Sequence, residues 1–139
     1  EVYSNLQKYE NQIDESKAKS RIFFFNQYIP DSEVQNYFSA ADVCILPYRT
    51  ATQSGITATS FHFEVPIIAT NVGGLKEIIG KPELGLIVEE PNSKLLKEAI
   101  SAYFENNLKE KFQNNIRREK ESNTWNEFAN SLISFSKTL

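Results

Sequence analysis

Apolar residues fall along this chain in two alternating patterns. Four short runs are continuous: residues 21–25 (R-I-F-F-F), 43–46 (V-C-I-L), 66–70 (P-I-I-A-T) and 85–88 (G-L-I-V). Runs of this length predict strands buried on both faces. Between them, apolar residues recur every three or four positions, which predicts helices with one buried side. Residues 1–16 place Tyr3, Leu6 and Ile13 near one face. In the next helix Ser32 and Gln35 form a capping box, followed by Val34, Tyr37, Phe38 and Ala41 at helical spacing. A short helix begins near Ile56 and stops before Pro66. Another carries Leu75, Ile78 and Ile79, with Gly80 at its end. After Asn92 and Ser93, an amphipathic helix sets Leu95, Leu96, Ala99, Ile100, Tyr103 and Phe104 on one side. Leu108, Phe112 and Ile116 mark a further helix whose Lys, Arg and Glu residues read as a solvated face. A second capping box, Thr124 with Glu127, opens a last helix with Trp125, Phe128, Ala129, Leu132 and Ile133 inward.

Strands alternating with helices predict the α/β class. The expected fold is a Rossmann-like, doubly wound parallel sheet covered on both faces. Ligands of such sheets sit outside the carboxyl ends of the strands. Those ends here are residues 26–28, 47–49 and 70–73.

Composition adds limits. The chain has 139 residues, which suits one domain. It is 40% hydrophobic and 24% charged, as expected of a soluble globular protein. No apolar run approaches the roughly 20 residues of a membrane span. A net charge of −3 disfavours broad nucleic-acid binding. One His and one Cys make a zinc cluster implausible. Cys44 lies inside an apolar run and reads as a small core residue. The composition suits a reducing cytoplasm.

Candidate chemistry concentrates in residues 48–77. A polar loop with Arg49, Thr50, Thr52, Gln53, Ser54 and Gly55 leads into the helix near Ile56. The strand at 66–70 ends in Asn71-Val72-Gly73-Gly74. Two helix starts, at Ser54-Gly55 and Gly73-Gly74, therefore share one sheet edge. Helix N-termini offer N–H groups and positive partial charge, which suit phosphate. Arg49 is placed to pair with the same anion. Each feature also has a plainer reading. Ser54 is a common N-cap, and Gly73-Gly74 makes a tight turn. Arg49 is a loop arginine, Glu77 a favourable charge in a first turn, and His62 a packed helix residue.

The segments F-S-A-A-D-V-C-I-L-P-Y, Q-S-G-I, P-I-I-A-T-N-V-G-G-L-K-E-I-I and G-L-I-V-E occur in that order. Together they resemble the C-terminal half of the group 1 glycosyltransferases, retaining GT-B-fold enzymes of family four. The resemblance covers residues 21–103, with looser agreement beyond. It implies a nucleotide-sugar donor held by this half. It also implies a glycan or lipid-linked acceptor held mainly by an N-terminal domain. The reaction would be hexosyl transfer in polysaccharide or glycoconjugate synthesis, with no metal and no other cofactor. Carried over by position, Ser54, Gly55 and Ile56 face the donor phosphates, and Gly73, Gly74 and Glu77 match the family's G-G-x-x-E. Arg49, Thr52, Gln53 and Thr57 complete the expected diphosphate and sugar contacts. Asn26, Tyr28 and Ile29 stand near the base, and Thr59 at the ribose position.

The sequence departs from the family in two ways. The family's two loop-and-helix glutamates are replaced by Ala51 and Thr59. Gln53, Ser54 and Thr57 could take over hydroxyl contacts as neutral groups, each worth roughly 0.5–1.5 kcal/mol. The family's first two strands and a basic turn have no counterpart here. That leads to an expectation of a single donor-binding domain lacking two central strands. Open strand edges would then favour a homodimer, a swap or limited stability. Two further readings remain, a non-catalytic α/β interaction module and a GT-B-fold nucleotide-sugar epimerase. The expected location is cytoplasmic, at the inner face of the membrane through peripheral association.

Overall fold

The structure, a computed structural model, describes residues 6–52, 54–80, 82–122 and 125–137, without the side chains of residues 125–128. The chain falls into two compact units, Glu1–Pro30 and Asp31–Leu139. In the first, α1 spans Leu6–Asp14 and a 3₁₀ turn spans Lys19–Arg21. Tyr3, expected on the first helix, lies outside the described residues.

Residues 21–25 are not the buried strand that their apolar run predicts. Ile22, Phe23, Phe24 and Phe25 follow the 3₁₀ turn outside regular structure, with exposed side chains. An apolar run becomes a strand only when a neighbour accepts its backbone hydrogen bonds. No described strand pairs with this one.

In the second unit the order is α2 (Asp31–Ala40), β1 (Cys44–Leu46), α3 (Gly55–His62), β2 (Ile67–Thr70) and β3 (Gly85–Val88). Three helices follow: α4 (Ser93–Glu105), α5 (Lys109–Ser122) and α6 (Trp125–Ser136). The short helix expected after Gly74 is a single π turn, Lys76–Gly80. α2 starts one residue before Ser32, which places Ser32 inside the helix and not at its N-cap. Asp31 and Glu33 instead put negative charge in the first turn. Asn92 does cap α4, accepting from the N–H groups of Lys94 and Leu95. Thr124 of the second capping box lies outside the described residues.

The strands form one parallel sheet in the order β1-β2-β3. Cys44 lies opposite Ile67, Leu46 opposite Ala69, and Ile67 opposite Gly85. A Cβ at Gly85 would fall 1.8 Å from the Ile67 carbonyl oxygen. Any side chain there would push β3 off β2. The period-two alternation divides the core between two faces. Leu46, Ile67, Ala69 and Ile87 pack with Phe61, Leu75 and Ile79 on one side. Ile45, Ile68, Leu86 and Val88 pack with Leu96, Ala99, Ile100, Tyr103 and Phe112 on the other. This is the doubly wound arrangement expected. Cys44 is half-buried in the first cluster, and burial pushes its thiol up against a smaller lowering by Ser60.

α5 ties together the amino ends of the strands. Lys109 pairs with Asp42 ahead of β1 (2.6 Å) and Arg117 with Glu64 ahead of β2 (2.7 Å). Lys111 pairs with Glu83 ahead of β3 (2.9 Å). Gln113 donates to the Glu64 carbonyl, Asn115 to the Glu83 carbonyl and Lys120 to the His62 carbonyl. The basic residues read as a solvated face therefore have partners on three loops. The apolar residues of α6 depart from expectation the other way. Ala129, Leu132 and Ile133 are exposed, not inward. An amphipathic stripe gives the period of a helix but not which surface meets it. Trp125 and Phe128 belong to the side chains not described.

Two substitutions test this packing. Tyr103, almost fully buried, donates its hydroxyl to the Asp42 carbonyl at 2.7 Å. Burial, with the Asp42 charge second, pushes that hydroxyl up to about 12. Tyr103→Phe should cost about 1–1.5 kcal/mol in urea unfolding, because the carbonyl loses its donor. The Glu64 carboxylate is held below its ordinary value by the Arg117 hydrogen bond, then by the charges of Arg117 and Lys120. Its folded value is the depressed one. Its stabilisation is thus complete above the ordinary value of 4.5 and is lost as pH falls through the folded value. Glu64→Gln should be less stable than wild type at neutral pH, by no more than about 1 kcal/mol. The two stability curves should converge below that range.

Candidate functional site

The carboxyl edge of the sheet is assembled from three loops. Thr70, the buried last residue of β2, donates its hydroxyl to the Tyr48 carbonyl at 2.5 Å. That bond fixes the loop after β1 against the end of β2. The loop then runs to Ser54, whose extended backbone (φ −134°, ψ 113°) opens α3. Gly73 closes the second contact. Its φ is +56°, and a Cβ there would lie 2.3 Å from the Ala51 carbonyl oxygen. Only glycine combines that left-handed backbone with so close an approach. The third loop joins through Glu89. Its carboxylate accepts from Asn71 Nδ2 at 2.6 Å and from Lys76 Nζ at 2.8 Å. The Asn71 N–H donates to the Val88 carbonyl at 2.8 Å.

At the start of α3, Ser54 is the N-cap residue, yet its side chain makes no capping bond. Its hydroxyl lies 3.1 Å from the Tyr48 hydroxyl instead. Thr57, buried, donates its N–H (3.1 Å) and its Oγ1 (2.5 Å) to the Ser54 carbonyl. The positive end of α3 thus carries no side-chain acceptor from its own cap. An anion arriving there would meet N–H groups without displacing one.

The residues singled out from the sequence fall into groups. Arg49, Thr52, Ser54, Gly55, Ile56 and Thr57 lie on the loop after β1 and the first turn of α3. Gly73 and Gly74 follow β2 on the same edge, with Gly73 packed on Ala51 and Thr52. Arg49 and Thr52 are exposed, as are Gly55 and Ile56. Gln53 lies outside the described residues. Thr59 is half-buried and donates Oγ1 to the Gly55 carbonyl at 3.1 Å, within its own helix. Glu77 lines a groove of about 640 Å³ with Ala58, Phe61, Ile78, Leu84 and Ile116. Among the described residues its carboxylate makes no hydrogen bond or ion pair. Asn26, Tyr28 and Ile29 belong to the first unit, where Asn26 and Tyr28 are exposed and Ile29 is half-buried.

Sequence reasoning missed Tyr48, Thr70, Asn71, Lys76 and Glu89 as builders of this edge. A signal existed for Glu89, which stands immediately after a strand's carboxyl end, as ligand-edge residues do. Nothing local marks the Tyr48–Thr70 bond, because its partners are 22 positions apart.

Gly73→Ala and Gly74→Ala separate this contact from a loose turn. No atom lies within 4 Å of a Cβ built at Gly74. Gly73→Ala should destabilise by about 2 kcal/mol or more, from left-handed strain and the Ala51 clash. Gly74→Ala should stay within about 0.5 kcal/mol of wild type. Thermal unfolding of the two variants side by side reads the difference.

The chain was compared with known proteins. A profile of the family described as "Glycosyl transferases group 1" matches residues 4–121. TuaC of Bacillus subtilis, assigned as a teichuronic acid biosynthesis glycosyltransferase, is 31% identical over 75 residues. That alignment takes in 54% of this chain and 19% of TuaC. LpsB of Rhizobium meliloti, a lipopolysaccharide core biosynthesis mannosyltransferase, is 25% identical over 103 residues, 70% of this chain and 28% of LpsB. The solved structure of sucrose-phosphate synthase from Thermosynechococcus elongatus superposes with a TM-score of 0.72 at 23% identity. It covers 95% of this chain and 33% of that protein, and it shows a shared fold. The chain spans a third or less of each of these proteins.

Proposed function

The chain belongs to the group 1 glycosyl transferases, and from that premise we propose that its carboxyl edge binds the diphosphate of a nucleotide-sugar. The observation that carries this reading is the start of α3. Its cap side chain is turned to Tyr48, and its first turn is left open to an anion. Gly55 and Ile56 present backbone N–H groups to the phosphates. Arg49, exposed on the loop before them, adds a charge-assisted contact. The Ser54 hydroxyl and Gly73-Gly74 border the same anion. Charge that builds on the diphosphate as the sugar leaves is stabilised by these fixed donors.

The sugar is held without carboxylates at Ala51 and Thr59. Thr59 already gives its hydroxyl proton to Gly55, so it serves a sugar or ribose hydroxyl only as an acceptor. Gln53 and Thr52 are the neutral side chains left for that task. The reaction is transfer of a hexosyl group to a glycan or lipid-linked acceptor, without a metal. The acceptor is bound by a further domain of the longer enzyme. No described helix is long and apolar enough to cross a membrane. Peripheral association with the inner face of the membrane belongs to the same reading.

An amide NMR titration with UDP, GDP and ADP tests this. One nucleotide should shift Gly55, Ile56, Thr57, Gly73 and Gly74, with the rest of 31–139 unmoved. Arg49→Ala should weaken that nucleotide by about tenfold or more. Amides at the start of α3 that stay silent with all three nucleotides would sink the reading.

A further inference from the structure

Two helix starts in the second unit share a cap backbone and differ in what the cap side chain does. Asn92 is extended (φ −117°, ψ 127°), and its side chain accepts from the Lys94 and Leu95 N–H groups. Ser54 is extended in the same region (φ −134°, ψ 113°), and its side chain makes no capping bond. Backbone geometry therefore does not explain the unused serine, but its partner does. The Ser54 hydroxyl lies 3.1 Å from the Tyr48 hydroxyl. Tyr48 itself is held twice. Its half-buried ring packs on the cluster of Leu46, Ile67, Ala69, Leu75 and Ile79. Its carbonyl accepts from the buried Thr70 hydroxyl. A tyrosine fixed at ring and backbone presents its hydroxyl at a set place, and the serine side chain, with a single torsion to turn, faces it.

We infer that Tyr48 is a positioning residue for the anion site: its hydroxyl draws the Ser54 side chain off the first turn of α3 and leaves the Ile56 N–H to the ligand. This role rests on the diphosphate reading of the same edge and adds the group that keeps the edge open. The competition falls on Ile56 for a geometric reason. A serine cap accepts from the second or third helical N–H. The third, that of Thr57, already donates to the Ser54 carbonyl at 3.1 Å. The second, that of Ile56, is the one that Ser54 Oγ and a phosphate oxygen would contest. Without the Tyr48 hydroxyl, Ser54 turns to Ile56, and an arriving anion has to displace it. A formed serine cap is worth about fivefold in an equilibrium constant, and the anion loses that factor. Tyr48 does not touch the anion in this role; it acts through Ser54.

Titration of Tyr48→Phe, Ser54→Ala and the double variant with UDP, GDP and ADP tests this. Phenylalanine keeps the ring on the core, so circular dichroism of Tyr48→Phe should match wild type. The nucleotide that binds wild type should bind Tyr48→Phe about fivefold more weakly. Hydrogen exchange at the Ile56 amide of the free variant should slow by about the same factor. Ser54→Ala removes the competitor. Added to Ser54→Ala, Tyr48→Phe should change neither the affinity nor the Ile56 exchange. A loss of equal size in both backgrounds overturns the inference, because Tyr48 would then act on the fold at large or on the ligand itself. So does a Tyr48→Phe variant that binds as tightly as wild type, and so does a loss of affinity with Ile56 exchange unchanged. A wild type that binds none of the three nucleotides overturns the diphosphate reading and takes this inference with it.

Discussion

Burial of β2 on both faces is the constraint on which the second unit depends. Ile67, Ile68 and Ala69 have no exposed surface, and Thr70 has almost none. Each fully buried aliphatic side chain contributes about 1.5–3 kcal/mol relative to exposure. The strand can be covered this way only if its backbone is satisfied from both sides. β1 and β3 do that in parallel register. Gly85 lets β3 come close enough, because the Ile67 carbonyl occupies the space a side chain would need. The helices then cover the two faces that the alternation along β2 creates.

The two edges of the sheet are built from different chemistry. At the amino edge, acids ahead of each strand meet basic residues of α5. These pairs are largely exposed, and each is worth little by itself. Their effect is to fix where α5 crosses, together with three side-chain hydrogen bonds to loop carbonyls. At the carboxyl edge the ties are short and mostly backbone-directed: Thr70 to Tyr48, Asn71 to Val88, Gly73 against Ala51. Backbone ties leave side chains and helix-start N–H groups available to a ligand. The sheet is thus braced by side-chain pairs at one edge and held by backbone ties at the other.

The start of α3 leaves a favoured cap unused. Serine is a favoured N-cap, because its oxygen satisfies a helix N–H. Ser54 instead faces Tyr48. The first turn forgoes roughly 1 kcal/mol of capping, and its amides stay open. Thr57 and Thr59 return their hydroxyl protons to carbonyls of the same turn. They steady the helix start from within the helix.

The sequence by itself determined the class of fold and which two loops meet at the carboxyl edge of the sheet. Continuous apolar runs bounded by proline, glycine and asparagine marked β1, β2 and β3 almost to the residue, because burial on both faces demands such runs. The same alternation put Ser54-Gly55 and Gly73-Gly74 on one edge. Tertiary structure decided what local pattern leaves open. Residues 21–25 have the composition of a buried strand, but no described strand pairs with them. The stripe on α6 has the period of a buried face, yet Leu132 and Ile133 are exposed. The bond from Thr70 to Tyr48, the approach of Gly73 to Ala51 and the pairing of Glu89 with Lys76 join residues far apart in sequence. A strand needs a neighbour and a contact needs two partners, and only the folded chain supplies the second.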